Sequence, residues 1–351
     1  MRIPAVKQSH LRRWLFCCSV LAVSALLGCA ERVGPVELAG RTMGTSWHVT
    51  YTPGSQPMPS QQVLGGIEDI LEAVNRSMST YRADSEISRF NGSPNDEWFA
   101  ISAGFQQVLQ AAVEIGELSG GAYDVTVGPV VDLWGFGPKA GADAVPPLSE
   151  LRAVLAGIGQ DKLRLDAQNR RVMKTGELGL DFSSIAKGYG VDQVARWLAS
   201  LGVSDYLVEV GGEVRLHGHS PRGGPWRIAI EQPDAMTGSV ATAISLSDNA
   251  LATSGDYRNY FEVQGRRYSH TIDPRTGYPI SHDLVSVTVV HSLAMMADAW
   301  ATAFMVMGAE QAMKVALEQG LAVYFIRRTG GSYASSHSPQ FERYLEAPQG
   351  E

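Results

Sequence analysis

Short strand patterns occur in runs between amphipathic helices along this chain, and this order constrains the fold more than any other feature of the sequence. Apolar residues recur with helical spacing over 61–78, 103–118, 149–156, 185–201, 293–307 and 310–318. Strand patterns cover 45–51, 206–210, 226–231, 241–246, 260–263, 285–291 and 322–327, and a hairpin pattern joins 162–166 to 171–174. Strands grouped in runs between helices are typical of an α+β fold. The patterns do not determine the strand order.

The N-terminal residues have the pattern of a secretory signal. Four cations and no acid precede an apolar run over 14–27, and Gly28 and Cys29 follow it. A run of about 14 apolar residues is short for a membrane span, so we expect a cleaved signal; a signal-anchor helix is the alternative. Residues 26–29, Leu-Leu-Gly-Cys, are similar to a bacterial lipobox. We therefore expect Cys29 to carry a lipid as the first residue of the mature chain.

This pattern predicts three segments and a location. Residues 1–28 are expected to be a lipoprotein signal peptide, 29–40 a tether, and 41–346 one folded domain. The expected location is the bacterial periplasm, with the lipid anchored in the inner membrane.

Cysteine use and charge exclude several classes of protein. Of the three cysteines, Cys17 and Cys18 would leave with the signal and Cys29 would be lipidated, so the mature domain has no thiol for a disulfide, a nucleophile or a zinc site. Cleavage would also remove four of the 29 Lys and Arg residues and none of the 36 Asp and Glu residues, which leaves a net charge of −11. An acidic domain disfavours nucleic acid and anionic lipid as partners.

Residues 269–279, with the sequence Ser-His-Thr-Ile-Asp-Pro-Arg-Thr-Gly-Tyr-Pro, combine turn chemistry with an imidazole. Pro274 fixes φ and Gly277 permits a positive φ, and each dipeptide alone is typical of a surface hairpin. His270 is a candidate general base, because the ordinary pKa of histidine lies near working pH. Asp256 is ambiguous between a turn acceptor and a site residue.

Asp298 and Thr302 lie four residues apart in an otherwise apolar segment, 294–303. This spacing places both side-chain oxygens on one face of a helix. A buried carboxylate requires a partner. One alternative is a core Asp298 that is hydrogen-bonded to Thr302 or to a nearby loop, and the other is a ligand of Mg²⁺. Magnesium in proteins takes one or two carboxylates together with phosphate oxygens and water.

Residues 180–190 indicate a site for an anion. Asp181 stands at a strand end, Ser183 or Ser184 is placed to cap the next helix, and Lys187 lies in its first turn. A lysine there opposes the helix dipole unless a phosphate compensates it. The alternative is an ordinary capped helix with a surface lysine.

Candidate ligand contacts occur in three other places. Tyr81 offers an aromatic face to a planar ligand, with a buried structural tyrosine as the alternative. Met43 opens a strand, where a core methionine is the default. Residues 120–129 contain a Gly-Gly pair that lets the backbone approach a ligand, and Asp124 is a possible hydrogen-bond acceptor for it. The alternative for this segment is a glycine-rich connection.

Together these segments resemble, in order, the ApbE family of bacterial FAD:protein FMN transferases over about 43–306. The segments 269–279 and 120–137 are the most specific to the family. The resemblance implies an α+β, T-fold-like domain of the ApbE type, with mixed sheets and flanking helices.

The resemblance also assigns roles to particular residues. Mg²⁺ is expected to be bound by Asp298, Thr302 and the backbone carbonyl of Ser184. FAD is expected to contact Met43, Tyr81, Ala122, Tyr123, Asp124, Asp181, Lys187 and Ile272. Tyr123 stands where phenylalanine is more usual in the family.

The implied activity is Mg²⁺-dependent transfer of FMN from FAD to a Thr or Ser hydroxyl, with release of AMP and with His270 as the base. The expected acceptors are periplasm-facing redox subunits with a Ser/Thr-Gly-Ala-Thr-like motif, such as those of ion-pumping NADH:quinone reductase or Rnf-type complexes. One alternative is a Mg²⁺-dependent FAD pyrophosphatase that yields FMN and AMP. Another is a flavin-binding lipoprotein without catalytic activity. Asp298 and Thr302 argue against it, because a storage protein needs no metal at the pyrophosphate.

Overall fold

The computed structural model describes residues 34–138, 144–233, 240–256 and 260–346, without the side chain of Arg266. The predicted signal and Cys29 lie outside these ranges. Within them, no helix combines the length and the apolar composition that a membrane-spanning helix needs.

The helices of the described ranges are α1 (Ser60–Met78), α2 (Glu86–Asn91), α3 (Ala103–Leu118), α4 (Gly128–Leu133), α5 (Leu148–Gly157), α6 (Ala186–Ser200), α7 (Ala294–Met307) and α8 (Ala309–Glu318), with 3₁₀ turns at Gln160–Lys162 and Pro339–Tyr344. The strands are β1 (Val36–Thr42), β2 (Thr45–Thr52), β3 (Phe99–Ala100), β4 (Leu163–Asp166), β5 (Arg171–Lys174), β6 (Asp205–Val210), β7 (Glu213–His217), β8 (Trp226–Glu231), β9 (Val240–Leu246), β10 (Ala250–Gly255), β11 (Tyr260–Val263), β12 (Arg266–Ser269), β13 (Ile272–Asp273), β14 (Tyr278–Pro279), β15 (Leu284–His291), β16 (Ala322–Thr329) and β17 (Ser332–His337).

An eight-stranded sheet in the order β1-β2-β6-β7-β10-β15-β16-β17 forms the centre of the fold. Each neighbouring pair in it is antiparallel. Smaller antiparallel pairings join β11 to β12, β13 to β14, β8 to β9, and β3 to β5 to β4. The described ranges contain one parallel contact, the isolated bridge between Val127 and Gly179. The α+β class with flanking helices is therefore confirmed, and parallel pairing contributes little to the expected mixed sheets.

Both faces of the large sheet are covered. Helices α1, α6 and α7 pack on one face, where Val191 and Val208 share an apolar cluster. The β8–β9 hairpin and the C-terminal 3₁₀ turn cover the other face, where Trp226 lies in a second cluster. Strand β15 is buried along almost its whole length because its alternating residues, such as Val289 and Val290, enter opposite clusters.

Helix α7 is buried on nearly all sides, and only Met296 and Thr302 are partly exposed. Its alanines allow the backbone to approach α6, β10 and β15 closely. Its large side chains, such as Phe304, each stabilise the fold by about 1.5–3 kcal/mol through burial. The helix is thus a rigid support for the polar residues that it carries.

The structure confirms every helix and strand predicted above, and it adds elements that the patterns missed. The additions include the strands β1, β7, β10, β12 and β17 and the short helices α2 and α4. Residues 36–40, at the C-terminal end of the predicted tether over 29–40, belong to β1 and pair with β2. Val36 and Leu38 pack on an apolar cluster, and the compact unit begins at Pro35.

Candidate active site

The start of helix α6 forms one wall of the candidate site. The Oδ1 atom of Asp181 accepts a hydrogen bond from the backbone N–H of Ser183 at 2.7 Å, and this bond shapes the turn into the helix. Neither serine caps the helix through its side chain, contrary to the prediction, and Ile185 takes the N-cap position. The hydroxyl of Ser184 instead lies 3.0 Å from that of Tyr123.

Lys187 lies among carboxylates rather than at an open surface. Its Nζ atom is 3.4 Å from Oε1 of Glu213 and 3.8 Å from Oδ1 of Asp298, and it donates to the carbonyl of Ser183 at 3.3 Å. Glu213 and Asp298 are only 4 % and 3 % exposed. The alternative of a surface lysine is therefore wrong, and Glu213 is a residue of the site that the sequence reasoning missed.

The pKa values of these groups reflect burial and mutual attraction. Burial lowers the pKa of Lys187. The charges of Asp298, Glu213 and Asp181 together raise it by more, so the pKa lies above its ordinary value. Burial raises the pKa of Asp298, and the charge of Lys187 opposes this change. Burial, opposed by Lys187 and reinforced by Asp298, raises the pKa of Glu213 to about 8. One ammonium group thus faces three carboxyl groups.

Helix α7 is held against α6 at its first turn. The carboxylate of Asp192 accepts hydrogen bonds from the N–H groups of Ala294 and Met295, both at 3.0 Å, and it pairs with Nη1 of Arg215 at 2.5 Å. Because α7 has no capping side chain of its own, Asp192 satisfies its free N-terminal amides from the neighbouring helix. Asp192 was not among the predicted site residues.

Gly188 sets the distance between the two helices. A Cβ atom at this position would lie 2.3 Å from the carbonyl oxygen of Ala294, so only glycine permits this approach. The backbone N–H of Gly188 donates to Oδ2 of Asp298 at 3.0 Å. The first turn of α6 therefore fixes the carboxylate predicted to bind a metal.

The predicted metal ligands are oxygen donors on adjacent elements. Thr302 lies one turn after Asp298, and its Oγ1 atom is 3.2 Å from Oγ of Ser254, another residue that the sequence reasoning missed. The described residues contain no group of three or more His, Cys, Asp or Glu side chains arranged to hold a metal. The predicted donor set has a single carboxylate, with a hydroxyl and a backbone carbonyl.

Two hairpin turns approach the lysine from the sheet. Met43 has a φ of 49° in the turn between β1 and β2, and its Cε atom would lie 3.3 Å from a Cβ atom at Gly190 on α6. Gly211, with a φ of 61°, lies in the turn between β6 and β7, where a Cβ atom would lie 3.3 Å from Cδ of Lys187. The turns thus bring the Met43 segment and the Lys187 segment to the same end of the sheet.

Tyr81 is exposed rather than buried, which rules out the structural alternative. Its side chain is 72 % exposed, and its hydroxyl donates to the carbonyl of Phe136 at 3.5 Å. Partial burial and the charges of Asp181 and Asp132 raise its pKa, which places the ring within electrostatic range of the α6 turn. An exposed aromatic ring beside a polar site is suited to stacking on a planar ligand.

The 269–279 segment packs on the aromatic residues that follow α4. The rings of His270 and Phe136 meet edge to face, with centroids 6.4 Å apart. The indole N–H of Trp134 donates to the carbonyl of Gly277 at 2.7 Å. Since Phe136 also accepts the bond from Tyr81, the structure brings His270 and Tyr81 to the same loop.

Asp273 and Arg275 shape this turn. The carboxylate of Asp273 accepts from the backbone N–H of Arg275 and from its guanidinium, each at 2.9 Å. The Asp273 carbonyl accepts from the N–H of Gly277 at 2.7 Å. Ile272 is buried in the cluster around Trp134, so its backbone is the part that remains for a flavin contact.

The glycine-rich segment 120–129 lies beside the same turn. A Cβ atom at Gly121, which has a φ of 77°, would lie 3.9 Å from Cγ of Arg275. Ala122 and Tyr123 are 1 % and 2 % exposed. Oδ1 of Asp124 accepts from the N–H and hydroxyl of Thr126 at 2.8 and 2.6 Å, and burial raises the pKa of Asp124.

Asp256 lies at the end of β10 among cationic groups. Its backbone carbonyl accepts from Nη2 of Arg267 at 2.6 Å. Burial raises the pKa of its carboxyl group, and the charges of Arg267, Arg328 and His282 oppose this change. This environment differs from that of His270, which packs on Phe136.

The fold and site define an α+β protein in which a partly buried lysine and buried carboxylates lie near the first turns of two helices, and an exposed tyrosine and a histidine share one loop. A family model described as the ApbE family matches residues 43–325. The chain belongs to the ApbE family.

Curated relatives cover nearly the whole chain. An FAD:protein FMN transferase of Vibrio cholerae serotype O1 is 45 % identical over 335 residues, which are 95 % of this chain and 99 % of the relative. The protein of the same description from Haemophilus influenzae is 43 % identical over 338 residues, covering 94 % and 97 % of the two chains.

Solved structures agree with these relatives. The flavin transferase ApbE from Vibrio cholerae matches with a TM-score of 0.83 at 45 % identity, covering 89 % of this chain and 99 % of that structure. The apo form of the Pseudomonas stutzeri flavinyl transferase ApbE also has a TM-score of 0.83, at 39 % identity, covering 89 % and 97 %.

Proposed function

We propose that this protein is an FAD:protein FMN transferase, which attaches FMN from FAD to a Thr or Ser hydroxyl of target proteins. The acceptor oxygen forms a bond to the phosphorus on the FMN side, the bond from that phosphorus to the bridging oxygen breaks, and AMP leaves. The hydroxyl proton passes to a base.

A single observation carries this proposal: Lys187 is held between Glu213 and Asp298 where helices α6 and α7 meet. The N-terminal turn of a helix and an ammonium group both favour a phosphate. Tyr81 is exposed and within electrostatic range of Asp181, as stacking on the flavin of the same dinucleotide requires.

The donor set of the site fits Mg²⁺. Asp181, Glu213 and Asp298 all act on one lysine, and when these carboxyl groups are ionised their charge disfavours a diphosphate unless a cation accompanies it. We propose that Asp298, Thr302 and the carbonyl of Ser184 hold the ion, because hard oxygen ligands suit magnesium. When bound, the ion supplies charge neutralisation to the diphosphate.

The remaining predicted residues have roles that agree with their positions. Met43, Tyr81, the backbone of residues 122–124 and Ile272 contact FAD, and Asp181 and Lys187 bind its nucleotide part. His270 accepts the hydroxyl proton, and Asp256 is the second candidate for this role.

Location and acceptor are further parts of the proposal. In this proposal, the signal over 1–28 directs the domain to the periplasm and a lipid on Cys29 holds it at the inner membrane. The basic and apolar pattern of the N-terminal residues supports this part of the proposal. The acceptors are periplasm-facing redox subunits with a Ser/Thr-Gly-Ala-Thr-like motif.

The test is transfer to a purified acceptor. The protein is incubated with FAD, Mg²⁺ and a redox subunit that carries such a motif, and the products are analysed by mass spectrometry and chromatography. We expect an acceptor with one added FMN and an equal amount of AMP. Release of free FMN and AMP with an unmodified acceptor would instead show a pyrophosphatase.

A further inference from the structure

The two carboxylate oxygens of Glu213 differ in their contacts within the described part of the chain. Oε1 lies 3.4 Å from Nζ of Lys187, whereas Oε2 is buried and has no hydrogen-bond partner among the described residues. The residue is 4 % exposed, so bulk water does not reach it freely. A buried polar atom without a partner costs about 1–3 kcal/mol, which indicates that a donor arrives with a ligand.

The position of Glu213 is fixed by the sheet. It begins β7 directly after the Gly211-Gly212 turn, and it pairs with Val210 of β6. Gly211 is close to the Lys187 stem, as a Cβ atom there would lie 3.3 Å from Cδ. Lys187 is therefore confined between this turn, the Glu213 carboxylate and Asp298 on α7.

The chemistry of the missing donor follows from charge. A diphosphate oxygen only accepts hydrogen bonds, so it cannot satisfy Oε2 while the Glu213 carboxylate is ionised. The ionised oxygen needs a hydrogen-bond donor, and the ligands of the proposed function offer O–H donors from two sources, a water bound to the divalent cation or a sugar or ribityl hydroxyl of FAD. Both sources would satisfy Oε2 when the ligand binds.

We propose that Glu213 is a positioning residue of the transfer reaction, which orients the Lys187 ammonium through Oε1 and accepts an O–H donor of the bound ligand through Oε2. This inference rests on the proposed function. It assigns Glu213 a role toward the ligand that a purely structural carboxylate would not have.

The first experiment measures binding to the full protein and to Glu213→Gln by calorimetry. Mg²⁺ alone and FAD alone are titrated separately. If Oε2 accepts a metal-bound water, Mg²⁺ affinity falls about 10- to 100-fold and FAD affinity without metal is unchanged. If it accepts a hydroxyl of FAD, FAD affinity falls about tenfold in the absence of metal. Unchanged affinity for both ligands would overturn the inference.

The matched control is Glu209→Gln on the neighbouring strand. Glu209 accepts from the N–H of Gly212 at 2.7 Å and lies beside His48, so the control changes a carboxylate of the same hairpin without touching Lys187. We expect wild-type affinities for it. If Glu209→Gln weakens binding as much as Glu213→Gln, a general charge effect of the hairpin explains the loss and the inference fails.

A second measurement needs no ligand. Lys187 is acylated with an amine reagent, and its modification rate is followed by peptide mass spectrometry. We expect several-fold faster modification of Lys187 in Glu213→Gln, because the ammonium group loses a charged partner. In Glu213→Asp we expect a rate close to wild type if the shorter side chain still reaches the ammonium group. Equal rates in the wild type and Glu213→Gln would overturn the positioning role, even if Glu213→Asp fails to fold.

Failure of the proposed function would look different. A wild-type protein that binds neither FAD nor Mg²⁺ contradicts the proposed function, whereas the Lys187 modification rates still decide whether Glu213 orients the lysine.

Discussion

At the scale of single residues, the site depends on a few buried charges whose partners come from distant parts of the chain. Asp298 receives a backbone N–H from Gly188 and the charge of Lys187, and these contacts compensate for its burial. These contacts fix the position of the carboxylate at the place where a divalent cation would need it.

Asp298→Asn should reduce FMN transfer by at least about 10²-fold, because the amide keeps the size of the side chain and removes the charge that a hard cation requires. Single-turnover transfer and Mg²⁺ titration measure the effect, and circular dichroism checks the fold. Asp166→Asn, on the β4–β5 hairpin, is the control and should behave as the wild type. Retained Mg²⁺-dependent transfer in Asp298→Asn would make Asp298 a structural residue.

His270→Ala should cut FMN transfer by roughly 10²–10⁴-fold and leave FAD affinity nearly unchanged, since the base acts on the incoming hydroxyl. FAD titration and single-turnover transfer to an acceptor peptide separate the two quantities. His219→Ala, at an exposed position beside Asp205, serves as the control. A near wild-type rate in His270→Ala would shift the base assignment to Asp256.

At the scale of elements, the crossing of α6 and α7 decides whether the charges meet. Asp192 caps α7 from α6, and Gly188 lets the two first turns touch. A small change in this crossing would move Asp298 relative to Lys187, although neither residue would be altered.

Gly188→Ala should destabilise the protein by about 1–3 kcal/mol and weaken transfer, because the new Cβ atom would lie 2.3 Å from the Ala294 carbonyl oxygen. Chemical denaturation and the transfer assay provide the measurements. Gly65→Ala on α1 meets no atom within 4 Å and should be neutral or stabilising by up to about 1 kcal/mol. Equal stability of the two variants would show that the helices do not require the close approach.

At the scale of the whole molecule, one antiparallel sheet supports the part of the site that contains Lys187, Glu213 and Asp298. The turns of β1–β2 and β6–β7 meet α6 at one end of the sheet, while β10 and β15 support α7. The N-terminal segment before this unit determines where the enzyme is located in the proposed function.

Cys29→Ser should release the protein from the membrane fraction, because the lipid is the expected anchor and the remaining domain is acidic. Fractionation and intact-mass analysis of the mature chain test this expectation. Transfer by the released protein should match the wild type in solution. Membrane retention of Cys29→Ser together with a wild-type chain that carries no lipid would contradict the lipobox.

Local patterns in the sequence determined the long helices, about half of the strands and the α+β class, because periodicity reports which face of an element is buried. The motifs also indicated Lys187, Asp298 and His270 as candidates. β1 and β7 escaped detection because their strand character depends on pairing with distant partners rather than on a strong local pattern.

Only the tertiary structure decided which charges meet. Glu213 and Asp192 carry no local signal of function, since one follows a Gly-Gly turn and the other lies within a helix. Their roles appear when β7 and α7 are packed against α6, which places Glu213 on Lys187 and Asp192 on the first amides of α7. Electrostatic interactions depend on distance and burial, and both are properties of the folded chain rather than of neighbours in sequence.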